Sequence, residues 1–151
     1  MAVLDVLNAN NATFCIFITW SGILLIKVML MTIVTVYHRF KNNASMNPED
    51  VFWNKNFEVK INDDVERVRR AHLNDLENVV PFIIICFLFI LSEPNEIFAS
   101  WLIRIVGLSR IAHSIIYVCQ VQQPFRAICF YITYVISLYM ILSSIVYFIK
   151  L

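Results

Sequence analysis

Glycine, proline and charged residues are scarce in this sequence. The 151 residues include 2 glycines and 4 prolines, and only 15% are charged. A transmembrane β-barrel needs many turns and strands of about ten alternating residues, and neither pattern is present. The net charge is +1, and no basic tail occurs. The chain therefore lacks the electrostatic footprint of a nucleic-acid-binding protein, and we expect no such partner.

The sequence also lacks the usual motifs of metal, redox and nucleotide sites. The cysteines are scattered in apolar surroundings, at Cys15, Cys86, Cys119 and Cys129. No Cys-x-x-Cys pair, His-Glu-x-x-His motif or glycine-rich phosphate loop occurs. We therefore interpret the cysteines as packing residues and expect no metal site.

Hydrophobic residues, in contrast, are abundant. They form 60% of the chain, and the mean hydropathy is +0.71, too apolar for a soluble domain of this length. Four apolar segments can each cross a bilayer, at residues 14–40, 67–91, 96–118 and 125–148. The sequence thus predicts one membrane domain over residues 1–151, an all-α membrane protein built as a four-transmembrane-helix bundle.

The basic residues indicate how this bundle is oriented. The hydrophilic loop at residues 41–64 and the ends of the two spans that flank it hold seven of the 12 Lys and Arg, and the loop before the fourth span ends at Arg126. The turn between the second and third spans holds Glu93 and Glu96 and no basic residue. The positive-inside rule therefore places the loop at 41–64 in the cytosol and both termini on the other side.

A polar stripe leads into the second span, within the segment VERVRRAHLNDLENVVPF. Its members recur at spacings of three and four and so share one helical face: Arg67, Arg70, Asn74 and Glu77. Charges and amides lose water in a membrane, so the stripe should face other helices or a water-filled pocket. An ordinary cytoplasmic helix start would explain the arginines as headgroup contacts, but it explains Asn74 and Glu77 poorly.

The first and third spans also carry polar residues. Lys27 lies near the middle of the first span, where it must pair with an acid or line a cavity unless it snorkels to an interface. We expect Glu77 to be its partner. In the third span Arg110, His113 and Tyr117 share one helical face.

Cations, a carboxylate and hydrogen-bonding groups therefore collect at the cytosolic half of the membrane. Arginine binds carboxylates through paired hydrogen bonds, and a carboxylate such as Glu77 can hold an ammonium. Glutathione carries two carboxylates, one ammonium and a thiol, so it fits this inventory.

The sequence resembles the family of membrane-associated proteins in eicosanoid and glutathione metabolism (MAPEG). Separate blocks carry the resemblance in order: Lys27 and Arg39, Asn-Pro-Glu-Asp at 47–50, the segment at 65–82, the face of Arg110, His113 and Tyr117, and Gln-Pro-Phe-Arg-Ala at 123–127. The resemblance implies a homotrimer of four-helix bundles in the endoplasmic reticulum membrane, with the mitochondrial outer membrane as a second location. It also implies that glutathione binds between subunits near the cytosolic face.

Carried over position by position, the resemblance implies a set of glutathione-binding residues. They are Arg39, Arg69, Arg70, His72, Asn74, Glu77, His113, Tyr117 and Arg126. Arg126 matches the arginine that stabilises the thiolate, and it is the implied catalytic residue. Arg69 and His72 fall off the main stripe, so they could serve only if the ligand wraps around the helix or reaches from an adjacent subunit.

The implied function is that of a membrane glutathione transferase. It would activate glutathione, its co-substrate, as a thiolate for conjugation to lipophilic electrophiles from the bilayer, and it would also reduce lipid hydroperoxides. Leu73, Ala127 and Phe130 stand where the family's prostaglandin synthases carry a basic residue, a serine and a tyrosine, which favours the transferase. The alternatives are a glutathione-dependent prostaglandin endoperoxide isomerase and a non-catalytic lipid-binding member of the family.

Overall fold

Four long helices dominate the computed structural model, which describes residues 6–53 and 56–150. They are α1 (Ala12–Asn42), α2 (Asp63–Leu91), α3 (Glu96–Val118) and α4 (Phe125–Ile149). Each is long and apolar enough to cross a membrane. The predicted all-α membrane architecture with four spans is confirmed, and each predicted span lies within one of these helices.

Asparagine side chains begin the first three helices. The side-chain oxygens of Asn11, Asn62 and Asn95 accept hydrogen bonds from backbone N–H groups of the following first turn, which otherwise have no partner. Helix α4 instead starts directly after Pro124, without a side-chain cap. This start places Arg126 in the first turn of α4.

The central helices of the bundle are α2 and α3. Both α1 and α4 pack against each of them, so α1 and α4 lie on different sides of the central pair. Short connections at residues 92–95 and 119–124 turn the chain back on itself. The end of α1, the start of α2, the end of α3 and the start of α4 therefore meet at one end of the bundle.

Apolar side chains fill the centre and also cover much of the outside. The fully buried ones include Leu24, Val79, Phe82, Cys86, Ile103, Val106 and Met140. Many large apolar residues point outward, such as Met29 and Ile97, which are 71% and 70% exposed. Such a surface would promote aggregation in water, whereas in a bilayer it contacts lipid tails.

The hydrophilic segment between α1 and α2 folds into a small unit of its own. Two short parallel strands, β1 (Ala44–Ser45) and β2 (Glu58–Val59), pair on either side of a 3-10 helix at Pro48–Trp53. The Ser45 hydroxyl lies 3.3 Å from a carboxylate oxygen of Asp50. This unit lies beside the end of α1, at the end of the bundle where the polar residues collect.

Gly107 allows α3 to pack closely against α1. It is buried, and a Cβ atom at this position would overlap the indole ring of Trp20. Glycine in a helix costs about 1 kcal/mol relative to alanine. The close packing of the indole offsets that cost.

Replacing Gly107 should therefore destabilise the bundle. We expect Gly107→Ala to lower the free energy of unfolding by about 1–3 kcal/mol, as overpacking does in other cores, measured by thermal unfolding in detergent. Gly22→Ala is the matched control, because nothing lies within 4 Å of its added Cβ. Equal stability of the two variants would contradict this account of the packing.

Candidate functional site

The polar stripe of α2 is covered only in part by the rest of the chain. The buried side carries Val68, Ala71 and Val79, whereas Arg70 and Glu77 are exposed. Asn74, also on the stripe, is half-buried against α3, so the stripe faces other helices in part and leaves Arg70 and Glu77 uncovered within one chain. These side chains are open to a ligand or to a second copy of the protein.

One group of predicted site residues lines a cavity between α1 and α2. Four members of the predicted set meet here: Arg39, Arg69, Arg70 and His72. The cavity has a volume of about 530 Å³. Arg69 donates a hydrogen bond of 2.7 Å to Glu66, the acidic residue in the lining. Arg69 and His72 thus lie with the other basic residues, although they fall off the main stripe of α2.

A second group lines a cavity of about 250 Å³ formed by α2, α3 and the start of α4. It brings together Asn74, His113, Tyr117 and Arg126. The Arg126 guanidinium lies 4.4 Å from the centre of the Tyr117 ring, a cation–π contact that fixes its position. The rings of His113 and Tyr117 are 5.8 Å apart. The predicted polar face of the third span therefore does border a site.

Glu77, the remaining predicted residue, lines neither of these cavities. It lies at an apolar groove of about 420 Å³ between α2 and α4, together with Pro81 and Tyr134. Phe130 lines both this groove and the cavity of Arg126. The groove and the second cavity are therefore neighbours.

The two groups of basic residues lie on different sides of α2, since one borders α1 and the other borders α3 and α4. None of the cavities described above combines Arg39 or Arg70 with Arg126. One chain therefore presents two separate cavities lined by predicted site residues, and we call them the α1–α2 half-site and the α3–α4 half-site.

The partner predicted for Lys27 is wrong. Lys27 forms its ion pair with Asp75, whereas Glu77 is exposed. Asp75 is fully buried, because it lies four residues after Ala71 and four before Val79 on the inward side of α2. The expected acid lies on the polar stripe, whereas the actual partner lies on the apolar side of the same helix, where the spacing of polar residues gives no sign of it.

Asp75 is the centre of a buried polar network that joins three helices. Besides Lys27 of α1, it accepts a hydrogen bond of 3.2 Å from Arg110 and bonds of 3.0 and 3.2 Å from Ser114, both on α3. Arg110 is itself fully buried, and it also donates a 2.7 Å bond to the side-chain oxygen of Asn74. The network thus reaches the lining of the α3–α4 half-site.

Several nitrogen atoms near the half-sites are buried and have no hydrogen-bond partner among the described residues. They are Arg39 Nε in the α1–α2 half-site, and Arg110 Nε, Arg110 Nη1 and His113 Nδ1 at or beside the α3–α4 half-site. Buried polar atoms are normally paired, since leaving one unpaired costs about 1–3 kcal/mol. Both half-sites therefore retain hydrogen-bonding capacity.

Taken together, these features define a polytopic membrane protein with cationic half-sites at one end of a four-helix bundle. A sequence model of the MAPEG family matches residues 17–146, most of the chain. The chain is 40% identical to microsomal glutathione S-transferase 1 of Homo sapiens over 136 residues, covering 87% of this chain and 88% of that protein.

Further relatives extend the comparison within the family. The microsomal glutathione S-transferase 1 of Mus musculus is 39% identical over 136 residues, with the same coverage. The prostaglandin E synthase of Homo sapiens is 34% identical over 116 residues, or 76% of each chain. The protein belongs to the MAPEG family, and the resemblance inferred from the sequence blocks is confirmed.

The buried network generates a prediction about stability. Asp75→Asn should lower the free energy of unfolding by about 3–5 kcal/mol, because it leaves two buried cations without an anion. Lys27→Met should cost less, since Asp75 keeps Arg110 and Ser114 as partners. Thermal unfolding in detergent or nanodiscs measures both.

The control is the exposed pair of Lys60 and Glu58, which are 3.0 Å apart. Lys60→Met should change stability by less than about 1 kcal/mol. A larger loss in Lys27→Met than in Asp75→Asn would show that Asp75 is not the centre of the network.

Proposed function

We propose that this protein is a glutathione transferase of the endoplasmic reticulum membrane, which converts bound glutathione to its thiolate for attack on a lipophilic electrophile. The observation that carries the proposal is the position of Arg126, held over the Tyr117 ring in a cavity that also contains His113 and Asn74. The microsomal glutathione S-transferases among the relatives support the same reaction class.

Arg126 supplies the positive charge that stabilises a thiolate. A free thiol has a pKa near 8.5 and is mostly protonated at neutral pH, and a neighbouring cation favours the anion. Each unit by which the thiol pKa falls corresponds to about 1.4 kcal/mol of added stabilisation of the thiolate relative to the thiol. Because Arg126 lies in the first turn of α4, the partial positive charge of the helix N-terminus adds to its field.

We further propose that the active protein is a homotrimer and that each glutathione binds between two subunits. The two half-sites lie on different sides of α2, so a head-to-tail ring would bring the α1–α2 half-site of one subunit against the α3–α4 half-site of the next. Such a ring would also cover Arg70 and Glu77, which one chain leaves exposed.

In this arrangement each predicted residue has a role that suits its chemistry. Arg39, Arg69, Arg70 and His72 would bind glutathione carboxylates, and the Glu77 carboxylate would hold the ammonium. Tyr117, His113 and Asn74 would line the bound ligand near Arg126. Glu77 lies 7 residues along α2 from Arg70, on the same exposed face, so one extended tripeptide can contact both.

The second substrate would reach the thiolate from the membrane. The apolar groove between α2 and α4 is lined by Pro81, Phe130 and Tyr134 and adjoins the cavity of Arg126 through Phe130. With a halogenated nitroaromatic, the new S–C bond forms at the carbon that bears the halogen, and halide leaves. With a lipid hydroperoxide, the thiolate attacks the terminal peroxide oxygen, the O–O bond breaks, and the lipid leaves as its alcohol after it takes up a proton. The thiol of a second glutathione then attacks the resulting sulfenic acid, which releases water and forms the disulfide.

The isomerase of prostaglandin endoperoxides is the second candidate, since a prostaglandin E synthase is also among the relatives. Two residues of the Arg126 cavity favour the transferase. Ala127 and Phe130 provide no hydroxyl group there, whereas the synthase pattern has a serine and a tyrosine. A non-catalytic lipid-binding protein could use basic residues for lipid headgroups, but it would have no need of Arg126 held over the Tyr117 ring beside His113.

The role of Arg126 can be tested by substitution. We expect Arg126→Ala to bind glutathione with a loss of only a few-fold, yet to lose turnover by about 100-fold or more, because the stabilisation of the developing anion is removed. The ultraviolet difference band of the bound thiolate should vanish or titrate at higher pH. Equilibrium binding, conjugation of a halogenated nitroaromatic and spectrophotometric titration measure the three effects.

Arg104→Ala is the matched control. Arg104 is also basic, but its guanidinium lies 5.7 Å from the centre of the Trp101 ring on α3, and it lines neither half-site. It should retain wild-type turnover and titration. A fully active Arg126→Ala protein with an unshifted thiolate titration would remove the catalytic role of Arg126 and favour the lipid-binding alternative.

A further inference from the structure

The orientation of the Asn74 amide is determined by Arg110. The side-chain oxygen of Asn74 lies 2.7 Å from Nη2 of Arg110. A guanidinium has only donors and no acceptor, so the oxygen rather than the nitrogen of the amide must face it. The amide nitrogen, which is a donor, is therefore the group that remains for other partners. Asn74 lines the same cavity as His113, Tyr117 and Arg126.

Arg110 is in turn held in place by Asp75. Its Nη2 lies 3.2 Å from Asp75 Oδ1, and both side chains are fully buried. Asp75 is fixed by Lys27 on one side and by Ser114 on the other. Nη2 of Arg110 also lies 3.4 Å from the backbone carbonyl oxygen of Asn74, which is part of helix α2. A buried guanidinium held by this carbonyl and by Asp75 has little freedom to turn, so the orientation of the Asn74 amide is set before a ligand arrives.

From this geometry we propose that Asp75 and Arg110 are positioning residues of the glutathione site, which make Asn74 a hydrogen-bond donor to the ligand. The inference rests on the proposed function and adds to it the type of group that Asn74 recognises. That group is an acceptor, a carboxylate or a peptide carbonyl of glutathione, and not its ammonium. Asp75 and Arg110 act through Asn74 and need not touch the ligand.

Charge in the network agrees with this assignment. Lys27 and Arg110 carry two positive charges, and Asp75 supplies one negative charge. The network therefore has an excess of one positive charge in a poorly polarisable interior, close to Asn74. Such a surplus favours an anionic or acceptor group at Asn74 and disfavours an ammonium.

The decisive variant is Asn74→Asp. A carboxylate at this position would pair with Arg110 at least as well as the amide does, so the thermal midpoint should stay the same or rise. The donor is lost, however, so we expect glutathione affinity, measured by calorimetry on the intact oligomer in detergent, to fall tenfold or more. If Asn74 instead accepted from the ammonium, Asn74→Asp would bind glutathione as tightly as the wild type or more tightly, and the proposal would be overturned.

A double-mutant cycle tests whether Arg110 acts through Asn74. Arg110→Met keeps an unbranched apolar stem, removes the guanidinium, and leaves Asp75 paired with Lys27 and Ser114. We expect Arg110→Met and Asn74→Ala each to weaken glutathione binding about tenfold, and the double variant to be no weaker than the weaker single variant. Losses that multiply to about a hundredfold would mean that the two residues act independently, which contradicts the proposal.

Arg104→Ala is the control, because Arg104 is also a basic residue of α3 but lies over the Trp101 ring and takes no part in the network of Asp75, Arg110 and Asn74. Its glutathione affinity should remain within twofold of the wild type.

The Asn74→Asp measurement tests the inference without the double-mutant cycle if Arg110→Met does not assemble. A wild-type protein that binds no glutathione would overturn the proposed function and this inference together, whereas tight wild-type binding with an equally tight Asn74→Asp variant would overturn the inference alone.

Discussion

The pairing of buried Asp75 with two cations, Lys27 and Arg110, is the interaction on which the rest of this structure depends. A charged group at the depth of a membrane-spanning helix is costly unless it is paired, so each residue of the network requires the others. Asp75 accepts hydrogen bonds from Lys27 of α1 and from Arg110 of α3, which fixes both helices around α2. With Asp75 turned inward, helical geometry turns Arg70 and Glu77 outward. The exposed polar stripe is thus a consequence of the buried acid.

This arrangement explains why the predicted site divides into two half-sites. Because α1 and α4 lie on different sides of the α2–α3 pair, the basic residues that border them cannot meet in one chain. A ligand of three residues with separate charges would span two neighbouring subunits. In the proposed ring, ligand binding would depend on oligomer formation, because each subunit would supply one half-site.

Sequence reasoning could predict the spans, the polar faces and the family, because each depends on periodicity or on ordered blocks of residues. The four helices include the predicted spans, and the face of His113 and Tyr117 does border a cavity. Periodicity assigns a residue to a helical face but does not say which helix lies opposite. For that reason Glu77, on the conspicuous stripe, was chosen as the partner of Lys27, and Asp75, hidden between Ala71 and Val79, was missed. The roles of Arg69 and His72 came from the family blocks alone.

The most direct test of the shared site is complementation between two inactive subunits. Arg70→Ala damages the α1–α2 half-site and Arg126→Ala damages the α3–α4 half-site, and the two variants can be co-expressed with different affinity tags. In a head-to-tail ring of three, every mixed trimer contains one interface with two intact halves. We therefore predict that doubly purified mixed trimers recover about a third of wild-type conjugation activity. Mixed trimers as inactive as the pure variants would show that each site lies within one chain and would contradict the account.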